Sequence, residues 1–341
     1  MKTDSGPSVP PPLRIATRGS ALALAQARLV LARCQAAFPR LRFELRILKT
    51  TGDKLQTASM SKPAPDLPKG LFTKELEAAL LRGDADFAVH SLKDLPTAMP
   101  DGLRLSGVLE REDARDVLVI RSPAARRKGP PPAALPELRP GAVVATSSTR
   151  RAAQLRALRP DLRLVEIRGN VPTRLQKLAD NPDLDATILA AAGLARLGIR
   201  RDGRDRLVCP PDLADAQWSR DLPARLLTLR EMLPAVGQAA IGLQARVGDR
   251  RTAAVCRRLD HRVTRVCVEA ERAFLEGFGG GCHSPVAALA TVRGDRLTLS
   301  IAAYDGDRSW RHRATAPVGK ARALGRQLGR EARRRLGLAT G

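Results

Sequence analysis

Twice along this chain an apolar strand-like run gives way, within a few residues, to a helical run, and this βα alternation restricts the fold more than any other feature. Leu13 to Thr17 (LRIAT) reads as a strand, and Ser20 opens a helical run through Leu24, Ala27, Leu31 and Cys34. Phe43, Leu45 and Ile47 alternate as a second strand. Phe72, Leu76 and Leu80 mark a second helix with Gly83 at its C-cap, and Ala85 to His90 forms a third, buried strand. The alternation resumes with a strand at 142–145, a helix at 151–158, a strand at 162–167, a helix at 173–178 and a strand at 186–190. Such a series builds parallel strands covered by helices, so two doubly wound α/β domains are expected, and 341 residues leave room for a third unit. That unit is a small α+β tail: a helix at 263–275, strands at 286–292 and 297–304 around an RGDR turn, and a helix at 320–336.

Two stretches fall outside the alternation. Residues 122–140 carry Pro130, Pro131 and Pro132 and read as a loop, while 198–230 is charged, contains Pro210, Pro211 and Pro223 and holds no period, as in an insertion or long connection. Met1 to Pro12 has no apolar h-region and is expected to be a disordered lead, leaving the protein in the cytoplasm with no membrane span.

Lys and Arg number 59 against 35 Asp and Glu, a net charge of +24 that attracts polyanions or acidic small molecules. Aromatic residues are only 3%, too few for a stacking platform, and the cations are spread along the chain, so a nucleic-acid partner is not expected. The cysteines, Cys34, Cys209, Cys256, Cys267 and Cys282, are odd in number and lack paired C-x-x-C spacing, which points to neither a metal nor a disulfide framework.

Ligands of doubly wound sheets bind outside the carboxyl ends of the strands, and here those ends share one chemistry. The exits are Thr17-Arg18-Gly19-Ser20, Ser91-Leu92-Lys93-Asp94, Thr146-Ser147-Ser148-Thr149-Arg150-Arg151 and Arg168-Gly169-Asn170, with Arg174 a turn later. Helix N-termini offer unsatisfied N–H groups and arginine a bidentate fork for carboxylates. A capping serine beside a solvated arginine explains any one exit; four alike point to a multiply charged anion. Asp94 is the lone carboxylate among them and the best acid/base candidate, suited to stabilising a developing cation. His90, on the same strand, reads as a packed core histidine. Cys282 follows Gly279-Gly280-Gly281 and precedes His283, an unhindered thiol suited to covalent attachment, whereas Cys34 lies on the apolar face of a helix.

These stretches resemble the porphobilinogen deaminase (hydroxymethylbilane synthase) family. Arg14-Ile15-Ala16-Thr17-Arg18, Lys69-Gly70-Leu71-Phe72, His90 to Pro96, Arg111-Glu112-Asp113, Thr146-Ser147-Ser148 with Arg150-Arg151, Arg168-Gly169-Asn170 with Thr173-Arg174, Leu233 to Gln238 and Gly280-Gly281-Cys282 occur in family order. The resemblance implies two α/β domains of the type II periplasmic-binding-protein kind (13–112 with 236–258, and 113–235 with an insertion near 200–232) and a C-terminal α+β domain, 259–341. It also implies a transferase of tetrapyrrole biosynthesis. Such an enzyme joins four porphobilinogen molecules head to tail onto a dipyrromethane held by thioether to Cys282, releasing hydroxymethylbilane and ammonia. By the same matching Asp94 would be catalytic. Lys93, Ser148, Arg150, Arg151, Arg168 and Gly169 would hold the cofactor, and Arg18, Ser20, Lys69, Arg168, Arg174 and Arg196 the substrate. The implied protein is a monomer with no nucleic-acid or membrane partner. The competing expectation is a non-catalytic polyanion-binding protein on the same scaffold. Pro68 and Ala239 stand where the family has glycine, and 54–68 and 200–232 are longer than its pattern.

Overall fold

The computed structural model describes residues 11–49, 73–121, 135–203, 205–213, 222–281 and 284–338. Lys69, Cys282, all of the 54–68 segment, residues 122–134 of the 122–140 segment, and the lead up to residue 10 lie outside the described residues. Of the expected lead, Pro11 is described, and its carbonyl accepts from Arg251 at 2.8 Å.

The first lobe begins as expected. Strand β1 (Leu13–Arg18) is buried along most of its length, and α1 (Ala21–Ala37) starts on Ser20, whose hydroxyl accepts from the Ala23 N–H. Then come β2 (Phe43–Leu48), α2 (Lys74–Leu81), β3 (Phe87–Ser91) and β4 (Leu103–Val108). The chain next crosses to the second lobe, where β5 (Asp116–Ile120), β6 (Val143–Ala145), α3 (Thr149–Leu158), β7 (Arg163–Val165), α4 (Val171–Asp180), β8 (Ala186–Ala190) and α5 (Ala191–Arg196) follow. A small pair, β9 (Arg200–Arg201) and β10 (Leu207–Val208), precedes β11 (Ala224–Leu226), and the chain returns to the first lobe as β12 (Ile241–Arg246).

Both lobes use one strand order. Among the described residues the first sheet runs β2-β1-β3-β12-β4 and the second β7-β6-β8-β5-β11. Strands β1, β2 and β3 are parallel, as are β6, β7 and β8, while β12 and β5 enter antiparallel to β3 and β8. Each lobe thus takes its fourth strand from the chain as it arrives from the other lobe, the arrangement expected for type II periplasmic-binding-protein-like domains. Two crossing segments, near 109–115 and 233–240, are the covalent bridges between them.

The 198–230 stretch is not all insertion. Its β11 pairs with β5 as the sheet edge, and Leu222 and Ala224 are core residues at 2% and 0% exposure. A three-residue edge strand is too short to show a period, so its charged surroundings conceal it.

The C-terminal domain packs α7 (Arg262–Phe278) and α8 (Ala321–Arg335) on an antiparallel sheet of β13 (Val286–Arg293), β14 (Arg296–Asp305) and β15 (Arg308–Pro317); α6 (Arg250–Leu259) leads into it from the first lobe. The two helices touch closely because Gly325 and Gly329 carry no side chain: a methyl at either would collide with the carbonyl oxygen of Ala270 or Phe274. The opposite face of the sheet, with Ala287, Leu289, Ala302 and Tyr304, seats on Leu233 of the return crossing.

In that crossing Ala239 is left-handed, with φ of 69°, and 6% exposed. A non-glycine residue there is strained by about 1–2 kcal/mol, and glycine would lose about 0.4–1 kcal/mol through its freer unfolded chain. Ala239→Gly is therefore expected to stabilise the protein by roughly 0.5–1 kcal/mol. A rise in the denaturant midpoint at unchanged slope checks this; a fall would show that the methyl contributes packing that outweighs the strain.

Candidate functional site

The turn that carries Asp94 is anchored by its neighbours. Leu92 and Leu95 are buried at 1% and 2% exposure, the Leu92 N–H donates to Ala240 O at 3.0 Å, and the Leu95 N–H closes onto Leu92 O at 3.2 Å. With both leucines turned inward, the intervening pair must face outward: Lys93 is half-buried and Asp94 exposed. Lys93 is pulled down to about 8 by burial, with Arg151 and Arg150 acting the same way while Asp94 and Asp116 oppose them. Arg174 is lowered to about 10 by burial and Arg151, and Asp94 opposes that shift. Groups at the β3 exit and on α3 and α4 thus act on one another electrostatically.

Arg150 and Arg151, expected to meet ligand carboxylates, are 4% and 5% exposed and both grip a protein carboxylate. Arg150 Nη2 lies 2.8 Å from Asp116 Oδ2 and its Nη1 donates to Leu233 O at 2.7 Å. Arg151 Nη2 donates to Asp116 Oδ1 at 2.7 Å and its Nη1 to Ile188 O at 2.8 Å. Gln238, from the return crossing, donates to the same Oδ1 at 3.0 Å. Burial alone would raise the Asp116 carboxyl, but Arg150, Arg151 and Lys93 hold it at about 2. One carboxylate among three cations leaves the cluster positive. The Nε atoms of Arg150 and Arg151 are buried and have no hydrogen-bond partner among the described residues.

The other exits are arranged locally. Ser20 and Ser148 accept as helix caps, Ser148 from the Arg151 N–H at 3.4 Å, which leaves each hydroxyl its own O–H to donate. Ser147 ties two exits together, donating to Ile167 O at 2.8 Å and accepting from its N–H at 3.1 Å. Gly169 has φ of 122°, where a Cβ would strike the Thr173 side chain, and its carbonyl accepts from Arg174 Nε at 2.8 Å. Arg168 is 43% exposed and pairs loosely with Glu166 at 3.3 Å. Arg18 ends β1, half-buried, near enough to His90 to help lower it. Arg196 binds Glu112 at 3.0 Å and Ala239 O at 2.6 Å, one on each crossing. His90 is a packed core histidine as expected, 6% exposed, bonded to Gln244 at 3.0 Å and lowered to about 4 chiefly by burial. Cys34 is fully buried and pushed up to about 12 by burial.

Sequence reasoning missed Asp116, Glu271 and Arg272. Glu271 is fully buried, accepts from Arg111 at 2.6 and 2.9 Å and from the N–H groups of Gly237 and Ala290, each at 2.8 Å. The available signal was position: Asp116 heads an otherwise apolar strand, and Glu271 and Arg272 sit at helical spacing from Cys267, Val268, Phe274 and Leu275.

The chain matches two family models, "Porphobilinogen deaminase, dipyromethane cofactor binding domain" over residues 13–254 and "Porphobilinogen deaminase, C-terminal domain" over residues 265–334. A protein of Syntrophomonas wolfei named porphobilinogen deaminase is 42% identical over 320 residues, 93% of this chain and 94% of its own length. Proteins of the same name from Paracoccus denitrificans and Pelotomaculum thermopropionicum are each 43% identical, covering 95% and 93% of this chain and 94% and 91% of their own lengths.

Proposed function

The chain belongs to the porphobilinogen deaminase family, and on that premise we propose how its residues divide the family's reaction among themselves. The reaction is a transfer: four porphobilinogen molecules are condensed head to tail onto a covalent dipyrromethane, giving hydroxymethylbilane and ammonia for tetrapyrrole biosynthesis.

The observation that carries the assignment is the surplus positive charge around Asp116. Porphobilinogen and the chain grown from it bear an acetate and a propionate on every ring, so their receptor must supply many cations. Lys93 and Arg174, held below their usual values, and Arg150 and Arg151, with unpartnered Nε donors, are stabilised by added carboxylate. The residues therefore fit a dipyrromethane, which when bound supplies the pyrrole carbon that accepts each new unit. Lys93, Ser148, Arg150, Arg151, Arg168 and Gly169 hold it, and Arg18, Ser20, Arg174 and Lys69 hold the incoming substrate. Arg196 acts on substrate only by leaving its contacts at the crossings. Asp94 does the chemistry. As ammonia leaves porphobilinogen, an electron-poor methylene-pyrrolenine cation develops, and the Asp94 carboxylate stabilises it at the pyrrole N–H and assists proton transfer there. Its exposure and its electrostatic coupling to Lys93 of the first lobe and Arg174 of the second support this role.

Cys282 is the attachment residue by motif. Helix α7 ends at Gly279, in the left-handed conformation with φ of 71°, and Gly281 N–H donates to Ser284 Oγ at 3.0 Å on the far side of residues 282–283. The division into 13–112 with 236–258, 113–235 and 259–341 agrees with the sheet topology. No described helix is long and apolar enough to cross a membrane. A cytoplasmic monomer without nucleic-acid partners completes the reading.

Intact-mass measurement tests it. The purified protein is expected to exceed its polypeptide mass by two pyrrole units and Cys282→Ala to show the bare mass. A bare mass for the wild-type chain, with reversible anion binding and no ammonia release, would reject both cofactor and attachment residue.

A further inference from the structure

Helix α7 grips the Asp94 turn in two places. Val268 packs with Leu92 and Leu95 in one buried cluster. One helical turn later, and so on the same face, Arg272 reaches the backbone beyond them: Nη1 donates to Leu95 O at 2.9 Å, and Nη2 to Pro96 O at 2.6 Å and Thr97 O at 3.3 Å. Pro96 breaks the turn, so the carbonyls on either side of it need outside donors, and a planar guanidinium, 8% exposed, reaches all three at once. The same helix ends at Phe278, and in the sequence Gly279-Gly280-Gly281 and Cys282 follow directly, while the adjacent Glu271 binds both crossings.

We propose that Arg272 is the positioning residue for Asp94, fixing the catalytic turn to the helix that leads into the attachment loop. This rests on the assignment of Asp94 above. The fork ties the carboxylate-bearing turn to the helix that precedes residue 282 in the chain, so each condensation finds the acid in the same place. Arg272 contacts backbone oxygens and not the reacting atoms, and its loss displaces Asp94 without removing a carboxylate receptor.

Two variants test this. Arg272→Met keeps length and apolar packing but abandons three carbonyls, and Arg272→Lys keeps the charge as a point donor that cannot span them. Both are expected to retain the two-pyrrole mass increment. With Met, kcat should fall on the order of 10–100-fold while KM for porphobilinogen stays within about twofold, and Lys should fall between Met and wild type. Amide hydrogen exchange at Leu95 should quicken in step. A folded, adduct-bearing Met variant with wild-type kcat would overturn the proposal, as would a rise in KM at unchanged kcat. If Met does not fold, wild-type kcat in Lys overturns it. Wild-type turnover in Asp94→Asn would instead defeat the underlying assignment, so the two failures are separable.

Discussion

Asp94→Asn is expected to lower kcat by about 10²–10⁴-fold with little change in stability or in the mass of the purified protein. The substitution is nearly isosteric, and the residue is exposed on a turn whose fold is set by Leu92, Leu95 and Arg272. Its side chain has no hydrogen-bonded partner among the described residues, so the amide breaks nothing. What disappears is the full negative charge and the capacity to take a proton. An asparagine oxygen can still accept a hydrogen bond from a pyrrole N–H, yet it cannot balance a cation in a site already crowded with Lys93 and Arg174. Because carboxylate recognition belongs to those cations, KM should move far less than kcat. Porphobilinogen consumption and ammonia release give the rate, and the masses of trapped covalent intermediates show where elongation stops. Turnover at the wild-type level would remove Asp94 from the mechanism.

The sequence signal for the role proposed for Asp94 is local. A strand, its exit residues and the cap of the next helix lie side by side in the chain, so Ser20 and Ser148 as caps, His90 as core and the cationic exits could be read from short windows. The central strands β5 and β12 were not, because each follows a crossing and pairs with a strand far along the chain: β5 sets Asp116 opposite Ala190 of β8, and β12 sets Ile241 opposite Ser91 of β3. The buried charges were hidden for the same reason. Asp116 meets Arg151 across 35 residues, Arg111 meets Glu271 across 160, and Arg272 meets Leu95 across 177. The resemblance marks Arg150 and Arg151 as receptors for ligand carboxylates, but the Asp116 carboxylate that each of them meets through one nitrogen is found only in three dimensions. Ala239 shows the converse, since the departure from glycine was visible in sequence and its φ of 69° gives it a physical meaning.

Glu271→Gln is expected to destabilise the protein by about 3–5 kcal/mol, the largest loss foreseen for a single isosteric change. The carboxylate is fully buried and surrounded by donors alone: two guanidinium nitrogens of Arg111 from the outbound crossing, the Gly237 N–H of the return crossing and the Ala290 N–H of β13. Burial by itself lowers the Arg111 guanidinium, and the Glu271 charge more than reverses that. Glutamine brings a donor where an acceptor is required. Whichever way the amide turns, its NH2 opposes an Arg111 nitrogen and one backbone N–H, and the guanidinium is left buried without a counter-charge. Because the three segments held by Glu271 join the lobes to the C-terminal domain, unfolding of that domain should become separable from the rest in a thermal scan. A double substitution, Glu271→Leu with Arg111→Met, removes the buried ion pair and should recover the part of the loss due to the unpaired charge, while the Gly237 and Ala290 N–H groups stay without their acceptor. Denaturant unfolding of the two single variants and the double one gives the coupling between the residues. A Glu271→Gln cost below about 1 kcal/mol would mean that the junction rests on the apolar contact of the C-terminal sheet with Leu233 and not on its ion pair.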